Sequence, residues 1–202
     1  MTGIVDYGCG NLYSLSHSLE YIGIACKVSR DENELLACER IILPGVGAFG
    51  DAKKALDDSG LAKTVLAAAK SGMPILGICL GMQLLFEKSL EFGEHEGLGL
   101  IGGSVVPIKP LVGDLKVPHI GWNSLSIPDG KSKIYKYTPN GAYVYFVHSY
   151  HAECDESSIT AKTEYGAMLT ASVESKNVYG TQFHPEKSGE IGLDILRAFC
   201  EI

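Results

Sequence analysis

Short apolar runs and amphipathic stretches take turns along the first half of the chain, the pattern of a mostly parallel sheet flanked by helices. Strands are expected at Gly3–Asp6, Cys26–Ser29, Arg40–Leu43 and Pro74–Ile78. Between them, Leu12–Ile22, Asp51–Gly60 and Leu61–Lys70 place apolar residues at helical spacing, punctuated by Gly or Ser-Gly. From Leu98 onward the texture changes to short β-rich runs at Ser104–Ile108, Ser124–Ile127, Tyr143–His148, Ile159–Thr163, Leu169–Val173 and Val178–Phe183. Pro, Gly and Asn turns separate them, so much of this region should be antiparallel or mixed. Ile191, Ile195 and Phe199 recur one helical turn apart and predict a C-terminal helix over Ile191–Phe199 that covers the sheet. The expected fold class is α/β, a doubly wound, mostly parallel central sheet with an additional antiparallel or mixed β region in the second half. No repeat, linker or low-complexity tract divides the chain, and residues 1–202 are read as a single domain.

Composition narrows the function classes. A chain of 202 residues, 46% hydrophobic and 20% charged, buries a core without disulfide or metal staples. No apolar run reaches the roughly 20 residues of a membrane-spanning helix. The start, Met1 to Gly8, lacks a basic segment and reads as a first strand rather than a secretory signal, so a cytoplasmic setting is expected. A net charge of −7 without any Lys/Arg cluster argues against a nucleic-acid partner, whose phosphates would be repelled. Six cysteines, at 9, 26, 38, 79, 154 and 200, form no C-x-x-C pair and have no His at finger spacing; reduced thiols are expected rather than a metal site. Small molecules and proteins remain as partners.

The sharpest local signal is Gly77-Ile78-Cys79-Leu80-Gly81, where an apolar strand runs straight into a helix. This is a nucleophile elbow with sulfur in place of oxygen. A tight strand-to-helix turn strains its central residue and needs neighbours without bulk, which Gly77 and Gly81 supply. The thiol is expected at the sheet's carboxyl edge, where the positive end of the helix starting near Leu80 lowers its pKa. The plain alternative, a small buried core cysteine, gives no reason for two glycines. Cys26, Cys38 and Cys200 look structural, Cys9 lies in a Gly-x-Gly turn and Cys154 in a polar loop.

A thiol nucleophile needs an imidazole to take and return a proton, and the imidazole needs an acceptor on its other nitrogen. His17, His95, His119, His148 and His151 sit in settings that suit structural or solvent-facing roles. His184 differs: it follows the strand ending at Phe183 and precedes Pro185-Glu186. In an extended His-Pro-Glu segment the residues two apart share a side, which lets the Glu186 carboxylate reach the ring. Cys79, His184 and Glu186 are the candidate catalytic triad.

Gly77-Ile78-Cys79-Leu80-Gly81-Met82-Gln83 together with Gln182-Phe183-His184-Pro185-Glu186-Lys187-Ser188 resembles the class I, or triad, glutamine amidotransferases, whose architecture is flavodoxin-like. Within them, Asp6-Tyr7-Gly8-x-Gly10-Asn11, the Leu43 to Phe49 segment, Pro118-His119-x-Gly121-Trp122-Asn123 and the Tyr145 to Tyr150 segment are similar to the glutaminase subunits of imidazole glycerol phosphate synthases. The resemblance spans nearly the whole chain. It implies an oxyanion strand at Gly45, Val46 and Gly47, whose Val46 amide joins that of Leu80. It implies a glutamine pocket formed by Gln83, Glu91, Ser149 and Tyr150. Glu91 also belongs to a run with Glu87, Glu94 and Glu96 that suits a solvated face.

The resemblance further implies a (β/α)8-barrel cyclase partner in a heterodimer, fed with ammonia through a tunnel closed to water, with no metal or organic cofactor. Asn11, Trp122, Asn123, Tyr145 and Lys187 match positions facing that partner, although Trp122, the sole tryptophan, equally suits a core. Weak glutamine hydrolysis without the partner is expected if the Val46 amide is misaligned until docking. Two further readings stand: a paralogous sugar-modifying amidotransferase that forms amidino groups, with the same triad, and a non-catalytic regulatory subunit that has kept the fold. The 91–99 stretch and the acidic 154–158 loop are the places to compare between the imidazole glycerol phosphate synthase reading and the sugar-modifying one, which share their catalytic blocks.

Overall fold

A computed structural model describes residues 1–128, 130 and 132–202. The chain begins with β1 (Thr2–Val5), α1 (Leu12–Tyr21), β2 (Cys26–Ser29), α2 (Glu32–Leu36), β3 (Arg40–Leu43), α3 (Phe49–Asp58), α4 (Leu61–Lys70), β4 (Ile75–Ile78) and α5 (Leu80–Leu84). The second half holds β5 (Phe86–Ser89), β6 (His95–Glu96), β7 (Ile101–Pro107), β8 (His119–Ser124), β9 (Tyr143–His148), β10 (Tyr150–Glu153), β11 (Ile159–Glu164), β12 (Met168–Ser175), β13 (Val178–Thr181) and α6 (Gly189–Cys200).

The described residues form a seven-stranded sheet in the order β11-β12-β13-β4-β3-β1-β2. From β13 to β2 every pairing is parallel, while β11 and β12 extend the sheet antiparallel. A smaller sheet, β10-β7-β5-β6, and a two-stranded ribbon, β8-β9, complete the expected mixed region. No helix among the described residues is long and apolar enough to cross a membrane.

The central strands are apolar at consecutive positions because both faces are covered. Ile41 and Leu43 of β3 point into a core shared with Phe49, Leu56 and Val65, whereas Ile42 between them joins Leu15, Leu19, Ile195 and Phe199 on the other face. Val5 and Ile4 divide in the same way. The two-residue period of the strand thus splits one apolar run between α3–α4 on one side and α1–α6 on the other.

Several expectations shift. The helix expected over Asp51–Gly60 starts at Phe49 and ends at Asp58, because Gly60 takes φ +78° and separates α3 from α4. The strand expected at Ser124–Ile127 is instead β8, which ends at Ser124; only Ser126 makes a further bridge, to Lys162. The C-terminal helix begins two residues early, at Gly189, after Ser188. The short α2 and the strands β5 and β10 have no counterpart in the periodicity.

Candidate active site

Register brings the two candidate segments together. β13 runs parallel to β4 with Gly180 opposite Gly77 and Thr181 opposite Ile78. Each strand's next residues therefore leave the sheet side by side, and the Cys79 amide donates to the Thr181 carbonyl at 2.7 Å. β3 lies on the other side of β4, with Leu43 opposite Gly77, and releases the Pro44–Gly47 loop at the same edge. Three loops thus meet at the carboxyl ends of adjacent parallel strands, where open α/β sheets place their sites.

Cys79 is the strained residue the elbow pattern predicts, with φ 55° and ψ −110°. The two glycines are required by backbone contact. A methyl on Gly77 would come within 2.7 Å of the Gly81 carbonyl and of Met82, and one on Gly81 would overlap the Leu43 carbonyl oxygen. The helix that follows, α5, spans only Leu80–Leu84 before the chain turns into β5. The expectation that a helix dipole activates the thiol is therefore weakened: five residues sum few peptide dipoles. What surrounds the sulfur matters more. The Gln182 side-chain amide donates to it at 3.7 Å, and the His184 ring interacts with it.

His184 is 2% exposed. Its Nδ1 lies 2.8 Å from Glu186 Oε1, so the other ring nitrogen is left for the thiol. The segment is not extended as expected. Pro185–Lys187 forms a 3-10 turn, with the Lys187 amide donating to the His184 carbonyl at 3.0 Å and Ser188 Oγ donating to it at 2.6 Å. The carboxylate reaches the ring through this turn rather than along a strand, and the His184 amide is held by the Tyr145 carbonyl at 3.0 Å. Burial disfavours the imidazolium, but hydrogen bonds and charge from Cys79 and Glu186 outweigh it and raise the His184 pKa to about 9.

A cavity of about 300 Å³ opens over the sulfur, lined by Val46, Gly47, Cys79, Leu80, Gln83, Glu91, Pro118, Val147, His148, Ser149, Tyr150 and His184. That volume suits one amino acid. The Pro44–Gly47 loop is anchored where Tyr7 Oη donates to the Pro44 carbonyl at 2.8 Å. Gly45 packs so tightly that an added methyl would sit 2.7 Å from the Gly81 amide, and Gly47 takes φ +100°. Glu91 has a structural role besides lining the cavity. Its Oε2 accepts from the Phe49 amide at 2.6 Å and caps α3, whose N-cap residue, Ala48, supplies no side-chain acceptor.

Gln83 Nε2 donates to the Tyr150 carbonyl at 3.2 Å and to Gln182 Oε1 at 2.9 Å. The sequence marked no active-site role for Gln182, Pro118 or Val147 and suited His148 to a structural or solvent-facing one; their place within the motifs of the resemblance was the only signal. His148 and His119 are buried and bonded to each other at 3.0 Å; burial lowers both, His148 to about 3. Among the described residues His151 is buried with neither ring nitrogen paired, and burial lowers it to about 4.

Of the positions expected to face a partner, Trp122 is 53% exposed and meets Tyr145 edge-on, which excludes the core alternative. Lys187 is exposed beside Glu186. Asn11 caps α1 by accepting from the Ser14 amide at 3.4 Å and, with His184 and Glu186, lines a small crevice beside the triad. Asn123 donates to the Glu164 carbonyl at 2.9 Å, and its Oδ1 faces His119 Nε2. Cys38 and Cys200 are buried, and all six cysteines are free.

The family model for class-I glutamine amidotransferases matches residues 3–201. Imidazole glycerol phosphate synthase subunit HisH of Wolinella succinogenes is 48% identical over 205 residues, covering 100% of both chains. The subunit of the same name from Caldanaerobacter subterraneus is 49% identical over 100% of this chain and 98% of its own, and that of Bacillus licheniformis 49% over 98% and 95%. Among solved structures, a glutamine amidotransferase superposes with a TM-score of 0.76 at 19% identity over 99% of this chain and 97% of its own. A chain from the PurLQS structure of Thermotoga maritima gives 0.75 at 22% identity over 99% and 97%; at these identities the likeness is one of fold. A match along almost the whole chain, and relatives nearly half identical from end to end, agree with the elbow cysteine and the paired histidine: the chain belongs to the class I glutamine amidotransferase family.

Proposed function

We propose that the chain is a glutaminase subunit that hydrolyses L-glutamine to glutamate and ammonia with Cys79, His184 and Glu186, and hands the ammonia to a synthase partner in histidine biosynthesis. The observation that carries this reading is the adjacency, imposed by the β4–β13 register, of a strained cysteine and a carboxylate-paired histidine beneath an amino-acid-sized cavity. In the first half-reaction Cys79 Sγ bonds to the carboxamide carbon, and the carbonyl oxygen takes the negative charge facing the amides of Val46 and Leu80. Collapse breaks the C–N bond as the His184 imidazolium protonates the departing nitrogen, leaving a glutamyl thioester. Neutral His184, oriented by Glu186, then takes a proton from water, whose oxygen attacks the thioester and releases glutamate and thiolate. Gln83, Glu91, Ser149 and Tyr150 frame the rest of the substrate. The partner is a (β/α)8-barrel cyclase, received at Asn11, Trp122, Asn123, Tyr145 and Lys187, and no metal or organic cofactor takes part.

The relatives' names favour this pathway over the sugar-modifying alternative. A histidine auxotroph lacking its own subunit should grow when given this chain and fail to grow with Cys79→Ala at equal expression. Growth with the alanine variant on glutamine alone would remove the triad from the reaction, and failure of the parent chain with a matched cyclase would remove the pathway.

A further inference from the structure

Gln182 is fully buried, directly follows β13 and lies two residues before His184. Nothing in the reaction above uses it, yet its side chain touches the reacting atom, with Nε2 3.7 Å from Cys79 Sγ. Which end of that amide faces the sulfur is settled by its neighbours. The Tyr150 carbonyl can only accept, so the end of Gln83 lying 3.2 Å from it must be the amide nitrogen. The second hydrogen of that nitrogen points to Gln182 at 2.9 Å and needs an acceptor there, which puts Oε1 of Gln182 toward Gln83 and its N–H toward the sulfur. Reversing Gln182 would set nitrogen against nitrogen at one end and a carbonyl oxygen against sulfur at the other. His148 Nδ1 donates to the same Tyr150 carbonyl at 2.8 Å, fixing the node from which the chain of orientations starts.

We propose that Gln182 is a catalytic residue of this site, donating its side-chain N–H to the Cys79 thiolate in an orientation enforced by Gln83 and the Tyr150 carbonyl. A donor is needed there because α5 is too short to supply much dipole at the sulfur, and an anionic sulfur enclosed in protein requires hydrogen-bond partners. His184 is one, but it gives its proton to ammonia during the first half-reaction, whereas Gln182 keeps its hydrogens throughout. When the thioester is hydrolysed and sulfur leaves as thiolate, the Gln182 N–H is already in place to receive the charge. Gln83 acquires a second duty, as the positioning residue for Gln182, in addition to framing the substrate.

The inference rests on the triad assignment, and thiol titration separates the two. Alkylation of Cys79 by iodoacetamide, followed by mass spectrometry across a pH series, reads the pH at which the thiolate forms. Gln182→Met keeps the length of the side chain and removes the donor; its half-maximal alkylation should move upward by about one pH unit or more, the size expected for losing one hydrogen bond to a charged group. Gln182→Glu, which sets a carboxylate against the sulfur, should move it further. Gln83→Met leaves Gln182 in place but frees its amide to turn, and should give a smaller upward move even if Gln182→Met does not fold. Profiles of Gln182→Met and Gln83→Met that coincide with the parent's, while Cys79→Ala is inactive, overturn the proposal and leave the triad standing. Full glutamine turnover by Cys79→Ala overturns both.

Discussion

His184 is enclosed by protein, yet its hydrogen bonds to Cys79 and Glu186 hold it protonated at neutral pH, with a pKa of about 9 against an ordinary value of 6.5. In the reaction proposed above, the acid that ammonia departure requires is therefore already charged and paired with the Glu186 carboxylate. Because the folded value is raised, this histidine stabilises the fold fully below about pH 6.5, and the contribution is lost as pH rises through about 9. Catalysis should follow the same limb, so glutamine turnover in the assembled complex should fall above about pH 9. Glu186→Gln removes one charge and weakens one hydrogen bond among the causes of the raised value. Its alkaline limb should shift downward, and kcat should drop roughly 10²- to 10⁴-fold, as when the orienting carboxylate of a triad is lost. A pH–rate profile with an unmoved limb would show that Glu186 does not act on the ring. Among the described residues Glu186 Oε2 has no partner although its side chain is only 4% exposed, so the carboxylate's interactions concentrate on His184.

Elements carry these side chains to one another, and the β4–α5 elbow is the tightest junction. Gly81 lies against the end of β3, and any side chain there would overlap the Leu43 carbonyl, a backbone atom that cannot rotate away. Gly81→Ala is expected to destabilise the fold by about 3 kcal/mol, the upper end for overpacking, read from the urea midpoint at constant m-value. Gly102→Ala, where an added methyl meets nothing within 4 Å, should stay within about 0.5 kcal/mol of the parent. Equal losses in the two variants would mean that chain flexibility, not contact, explains the elbow glycine. This junction was legible in the sequence because its constraint is local: five successive residues state it. The central strands were legible because burial on both faces leaves an apolar run at residues 41–43 of β3 and along Ile75–Ile78. β8 was not, since His119-Ile120-Gly121-Trp122-Asn123-Ser124 alternates a buried imidazole with exposed apolar residues and so reverses the usual pattern. Gln182 stands in a motif, but the role proposed for it was not legible for another reason: it arises from the register of two strands about a hundred residues apart in sequence.

At the scale of the whole molecule, β8 and β9 form a ribbon outside both larger sheets, and its two faces meet different surroundings. Val144 and Phe146 pack into the core, while Ile120, Trp122 and Tyr143 are each more than half exposed. Large apolar side chains standing together on an outer face fit the docking surface proposed above, with the tryptophan as its anchor. The ribbon is also tied to the site: the Tyr145 carbonyl holds the His184 amide, and His148 donates to the Tyr150 carbonyl that orients Gln83. A partner seated on Trp122, as proposed, would press on the same strands that hold His184 and the cavity wall, which gives a physical route for docking to raise glutaminase activity. Trp122 is the chain's sole tryptophan, so its fluorescence reports this face alone. Titration with a tryptophan-free cyclase should shift the emission to the blue as the indole leaves water, and Trp122→Ala should weaken the complex about 30-fold or more, the loss of a hot-spot aromatic. The same variant, saturated with partner, should still hydrolyse glutamine, because Trp122 touches neither the sulfur nor the cavity. An emission unchanged at saturating partner would place the docking surface elsewhere and leave the ribbon's exposed face without a function.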